Sequence, residues 1–242
     1  VQGGTVLADG RIDASNSSGI GGTIKLLGDK VGLIGNARVD ASGDSGGGTV
    51  LVGGDFHGAN PNVQNAQSTY VGNGVTINAD ATTQGDGGKV AVWADGDTRF
   101  YGTIAARGGA QAGDGGFVET SGGRFLHVLG AVDTRAPLGS AGTWLLDPTD
   151  ITIQAGAGAF TALTQVDEFL DPNSGANTIA ASVINSATSN VVLQASGTIT
   201  FSAPVSITTA GVGLTAQTQT GDITVNSGIT TAATTASGLA SG

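Results

Sequence analysis

The chain has 242 residues, 43 of them Gly, with 12% charged and 5% aromatic residues and a formal net charge of -10 at pH 7. The excess of acid argues against a nucleic-acid partner and against docking on anionic lipid, and the absence of cysteine excludes disulfides, thiolate metal sites and cysteine nucleophiles. Gly with Val, Ile and Thr disfavours helices and favours short strands between tight turns, while a hydrophobic fraction of 39% with regular spacing excludes a disordered linker.

Taken in chain order, the elements repeat. Gly3-Gly4-Thr5-Val6, Gly21-Gly22-Thr23-Ile24, Gly47-Gly48-Thr49-Val50, Gly87-Gly88-Lys89-Val90, Gly115-Gly116-Phe117-Val118 and Ala141-Gly142-Thr143-Trp144 open successive strands. The second residues of these pairs lie 18, 26, 40, 28 and 26 positions apart, close to one rung of a β-helix, with an insertion expected at about 54–73. A second strand follows in each copy: Arg11-Ile12-Asp13, Arg38-Val39-Asp40, Thr76-Ile77-Asn78, Thr103-Ile104-Ala105 and Ala131-Val132-Asp133.

Aligned copies give an apolar column of Val6, Ile24, Val50, Val90, Val118 and Trp144, expected to face the core. The neighbouring column of Leu7, Lys25, Leu51, Ala91, Glu119 and Leu145 admits charge and is expected to face outward. The paired glycines are expected at corners with positive φ.

Residues 1–150 therefore read as regular rungs and 151–242 as degenerate solenoid repeats with a low-complexity tail from Thr230. Ala159 to Leu170 and Ile179 to Ala187 each have room for a short helix or a looped-out insertion. The fold class is all-β, a parallel β-helix. No apolar run approaches the ~20 residues of a membrane span. The missing methionine, at position 1 and elsewhere, makes an excised part of a longer protein the expectation.

Four stretches carry a resemblance: residues 47–58 (Gly-Gly-Thr-Val-Leu-Val-Gly-Gly-Asp-Phe-His-Gly), 90–95 (Val-Ala-Val-Trp-Ala-Asp), 113–122 (Gly-Asp-Gly-Gly-Phe-Val-Glu-Thr-Ser-Gly) and 142–153 (Gly-Thr-Trp-Leu-Leu-Asp-Pro-Thr-Asp-Ile-Thr-Ile). Together they resemble the filamentous-haemagglutinin-like exoproteins of bacterial two-partner secretion. The resemblance implies a right-handed parallel β-helix, export through an outer-membrane secretion partner, and a role in adhesion or matrix building at the cell surface. The family's secretion domain often carries Asn-Pro-Asn-Gly, whereas this chain has Asn60-Pro61-Asn62-Val63, so it looks like shaft downstream of that domain.

Candidate site residues are few. Asp13, Asp40 and Asp133 fall in one column with Asn78 and Ala105, where carboxylates about 4.8 Å apart would repel unless calcium, hydrogen bonds or turn-capping intervened; turn-capping is the preferred reading. Trp93, Phe100 and Tyr101 are candidates for stacking on glycans, if no loop covers them. Asp95, Asp97 and Arg99, with Glu119 and Arg124 a rung later, would be the groups of a polysaccharide-cleaving β-helix, but the column around Glu119 offers Ala91 and Leu145 and no second carboxylate, and His57 and His127 lie in different rungs without triad partners. The chain is accordingly read as a non-catalytic structural or adhesive shaft, with homotypic end-to-end contacts. A carbohydrate-active enzyme and a non-catalytic binder of host or matrix glycans are the alternatives.

Overall fold

The computed structural model describes residues 3–156 and 177–232. Short strands lie on three faces of a coil, and all named pairings between them are parallel. Face one stacks β3 (Thr23–Leu26), β6 (Thr49–Val52), β9 (Lys89–Ala94), β12 (Phe117–Gly122), β15 (Thr143–Leu146), β18 (Asn190–Ala195) and β21 (Leu214–Thr218) in that order. Face two begins with β1 (Thr5–Ala8), β4 (Lys30–Leu33), β7 (Ser68–Val71), β10 (Asp97–Phe100) and β13 (Phe125–Val128). Face three begins with β2 (Arg11–Asp13), β5 (Arg38–Asp40), β8 (Thr76–Asn78), β11 (Thr103–Ala105) and β14 (Ala131–Asp133).

Strand alternation builds the core. Ile24, Val50, Val90, Val118, Trp144 and Val191 pair in register along face one and are all buried. Trp144, the largest of them, also satisfies its ring N–H, which donates to Thr120 Oγ1 at 2.8 Å. Val6 does not belong to this column. It pairs with Val31 on face two, which explains the short interval of 18: the first Gly-Gly opens a different face.

The glycine pairs hold the corner between faces three and one. In five rungs the second Gly N–H donates to a carbonyl just past the face-three strand, from Gly22 to Ala14 through Gly142 to Thr134, at 2.7–2.9 Å. None of these paired glycines from Gly21 onward has positive φ. What they require is close backbone approach: a Cβ on Gly48, Gly88, Gly116 or Gly142 would run into the carbonyl oxygen of the glycine one rung below.

Past Leu146 the coil continues with altered rungs. On face two, β17 (Thr178–Ala180) lies between β13 and β16 (Ile151–Gln154), followed by β19 (Ile199–Phe201) and β22 (Ile223–Val225). β17 meets β13 at the single pair Val128↔Ile179, and the Asn177 side chain extends the junction by accepting from Leu126 N and donating to Arg124 O. On face three, helix α1 (Ala181–Asn185) precedes β20 (Val205–Ile207) and β23 (Ile229–Thr231). The hydroxyls of Thr188 and Ser189 donate to Val132 O of β14, and Asn185 Oδ1 accepts from Ser206 N of β20, so a helical turn occupies this rung's third side.

Of the short helix and the looped-out insertion considered for Ile179 to Ala187, the helix is observed, as α1, with Ile179 and Ala180 belonging to β17. The one considered at Ala159 to Leu170 lies outside the described residues, as does the tail beyond Ala232. No helix among the described residues is long and apolar enough to cross a membrane.

Candidate metal centre

The insertion runs from Gly54 to Gln67, shorter than the expected 54–73, because Ser68–Val71 is the face-two strand β7. It folds back over the outside of face one. Asp55 opens a single 3₁₀ turn, Phe56–Gly58, by accepting from Phe56 N at 2.8 Å, and its other oxygen accepts from Asn60 Nδ2 at 2.6 Å. Asn65 Nδ2 donates to Gly58 O and to Asp95 Oδ1, and Trp93 Nε1 donates to the same Asp95 oxygen at 3.0 Å. Phe56 meets Phe117 edge to face, with ring centroids 5.4 Å apart, and Val63 packs with Leu51 and Ala91 beneath it.

The second column points away from the main core as expected, but in its middle it does not reach water. Leu51, Ala91, Glu119 and Leu145 do leave the core side of their strands, yet all four are buried. Apolar Leu51 and Ala91 match apolar loop residues; Glu119 does not.

His57 answers Glu119. Its φ of 56° makes it the one non-glycine among the described residues in the left-handed region. From that position its N–H donates to Glu119 Oε2 at 3.0 Å, while its ring Nδ1 lies 3.2 Å from Asp147 Oδ2 and 4.0 Å from Glu119 Oε1. Glu119 Oε1 is buried and makes no hydrogen bond. Burial pushes the Glu119 carboxyl up, opposed by the charge and N–H of His57 and by the nearby Ser121 hydroxyl, which does not reach hydrogen-bond geometry at Oε1. Ser121 Oγ accepts from Asp147 N at 3.0 Å, fixing the segment that carries the second carboxylate. One ligand atom from each of His57, Glu119 and Asp147 lies within 4.8 Å of the others.

The sequence-derived candidates lie elsewhere. Asp13, Asp40 and Asp133 are in register with Asn78 and Ala105 on face three. Each accepts from a backbone N–H two residues on, at Ser15, Ser42 and Arg135, and Arg11 and Arg135 pair with Asp13 and Asp133. The backbone and side-chain hydrogen bonds of Ser15 and Arg11 draw Asp13 well below the usual carboxylate range; for Asp133, burial pushes up but the Arg135 bonds and charge outweigh it. The Arg11 and Arg135 guanidinium groups therefore stand against the two ends of this row.

The glycan-stacking candidates need correcting. Phe100 is fully buried in the main core, Trp93 lies under the insertion at 7% exposure, and Tyr101 packs against Tyr70 and His127 at 5%, so none presents an open ring face. Of the groups considered for glycan cleavage, Arg124 pairs with Asp97 at 2.8 Å on face two, not with Glu119 on face one. A cleft of about 910 Å³ on face three is lined by Arg107 and Arg135, which pair with Asp80 and Asp133 respectively. A smaller polar groove of about 340 Å³ runs from Asp147 to Gln194 and Gln217.

The sequence reading missed the cluster because its three residues are 62 and 90 positions apart, on elements whose stacking is known only once the rungs are counted. The signal was present in Glu119 standing in a column with Leu51, Ala91 and Leu145. In comparisons with known proteins, the chain matches no family model and no curated protein.

Proposed function

We propose that the chain is a length of structural and adhesive shaft from a secreted bacterial surface filament of the filamentous-haemagglutinin type, exported through an outer-membrane partner to the cell surface or an extracellular matrix. The observation that carries this reading is the unbroken ladder of face one, where seven strands keep parallel register from Thr23 to Thr218. The hydrogen bonds of such ladders point along the coil axis, so tension on a filament loads many backbone bonds on several faces at once.

Gold-labelled antibody against the chain should decorate filaments outside the producing cells, and the purified chain should release no new reducing or unsaturated ends from acidic or neutral glycans. Label confined to the cell interior, or release of such ends, would overturn the reading. The cleft beside Arg107 and Arg135 favours a second reading, a non-catalytic site for acidic glycans, and binding to an acidic-glycan array that is lost in Arg107→Ala and Arg135→Ala would support it.

A further inference from the structure

We infer that His57, Glu119 and Asp147 bind one divalent transition-metal cation, which fastens the insertion to the outside of face one. The first support is geometric. An ion bonded at about 2.0–2.2 Å to nitrogen and oxygen in a tetrahedron holds neighbouring ligand atoms about 3.4 Å apart. His57 Nδ1 stands 3.2 Å from Asp147 Oδ2 and 4.0 Å from Glu119 Oε1, on either side of that value, so small side-chain adjustments complete the set.

The second support is independent of spacing. The Glu119 side chain is fully buried, and its Oε1 has no hydrogen-bond partner while facing the His57 ring. Buried carboxylate oxygens are ordinarily hydrogen-bonded, ion-paired or on a metal. An orphan oxygen beside an imidazole and a second carboxylate is the ligand such an ion needs.

The donor set selects the class of ion. One imidazole with two carboxylates suits zinc, manganese, iron or cobalt, whereas calcium takes 6–8 oxygens and gains little from a ring nitrogen. The side chains of His57 and Asp147 are 46% and 26% exposed, so the ion has a path from solvent and its remaining position faces water. His57 rides on the insertion after β6, Glu119 on β12, and Asp147 just past β15, so the ion ties the loop across three rungs. This is independent of the shaft reading. A staple of this kind would serve any role of the coil.

The competing occupant is a proton, with His57 as an imidazolium between two carboxylates, and cobalt separates the two. Titrated into the full chain, Co²⁺ should bind at one equivalent with visible d–d absorption and be displaced by Zn²⁺, and Zn²⁺ should slow amide exchange at Phe56, His57 and Gly58. His57→Ala and Asp147→Asn should each weaken Co²⁺ binding by more than the about 10–100-fold typical of losing an outer-shell partner, with unchanged circular dichroism. His127→Gln, at the second histidine of the chain, should leave binding as it was. Absence of d–d absorption at millimolar Co²⁺, or absorption that survives both His57→Ala and Asp147→Asn, would overturn the site.

Discussion

The outer column of face one passes through two environments. Lys25 at one end and Thr215 at the other are exposed, while Leu51, Ala91, Glu119 and Leu145 between them are buried, although the strands pair in one continuous register. The difference is the insertion from Gly54 to Gln67, which roofs the middle rungs and stops short of the ends. Alternation along a strand says which side chains leave the core; it does not say whether they reach water. Where the roof lies, the coil has in effect a second, smaller core of Leu51, Val63 and Ala91 with Leu27 and Phe56 at its margin.

The largest expected effect breaks the inner half of this comparison. Val50→Asp or Val92→Asp buries an unpaired charge between rungs and should cost more than about 4 kcal/mol, enough to abolish the β signal in circular dichroism. Next is the corner: Gly88→Ala puts a Cβ into the Gly48 carbonyl of the rung below, and forcing the rungs apart should cost about 3 kcal/mol in chemical denaturation. The roof itself is sharpened by a pair. Leu51→Asp should cost about 2 kcal/mol, because Leu51 is 3% exposed under Val63, whereas Lys25→Asp, one rung away in the same column, should stay within about 0.5 kcal/mol. Equal tolerance at both positions would show that the insertion does not seal face one.

The repeat was legible because a stacked coil writes each rung in the same order, so Val50, Val90, Val118 and Trp144 recur with glycines at fixed offsets before them. Face two was not. Its inward column mixes Thr69 and Thr98 with Val31 and Leu126, and its strands, such as Asp97–Phe100 and Phe125–Val128, have no common opening, so they share no pattern to align. β1 was placed on the wrong face because Gly3-Gly4 gives it the opening that the face-one strands share. The roof was illegible for a different cause: its contacts run between an irregular loop and strands several rungs away, and no periodicity records them. Trp93 shows the consequence, being outward by alternation yet covered by Gly54 and Gly58 of the loop. The His57 cluster inherits both difficulties, since it needs the loop, the rung order and the burial of Glu119 together.

The smallest expected effect asks whether side chains alone can roof a face as the insertion does. On face two, Tyr70, Arg99 and His127 stand in one outer column, and Tyr101 joins them, its hydroxyl 2.8 Å from His127 Nδ1 and its ring edge-on to the imidazole with centroids 5.3 Å apart. Burial, and secondarily the positive charge of Arg99, push His127 below its ordinary value of 6.5. A base depressed in the folded state takes up its proton in the unfolded chain first. Stability is therefore complete above about pH 6.5 and declines as the pH falls from there toward the lower folded value, because the unfolded chain binds more protons across that window. The melting temperature of the wild type should drop between pH 6.5 and 5 by slightly more than that of His127→Gln, which has no proton to gain, and the imidazole resonance of His127 should titrate with a midpoint below 6.5. A midpoint at or above 6.5 would mean that water reaches the ring freely, and that rings from neighbouring rungs do not keep a face dry in the way the insertion keeps Glu119 dry.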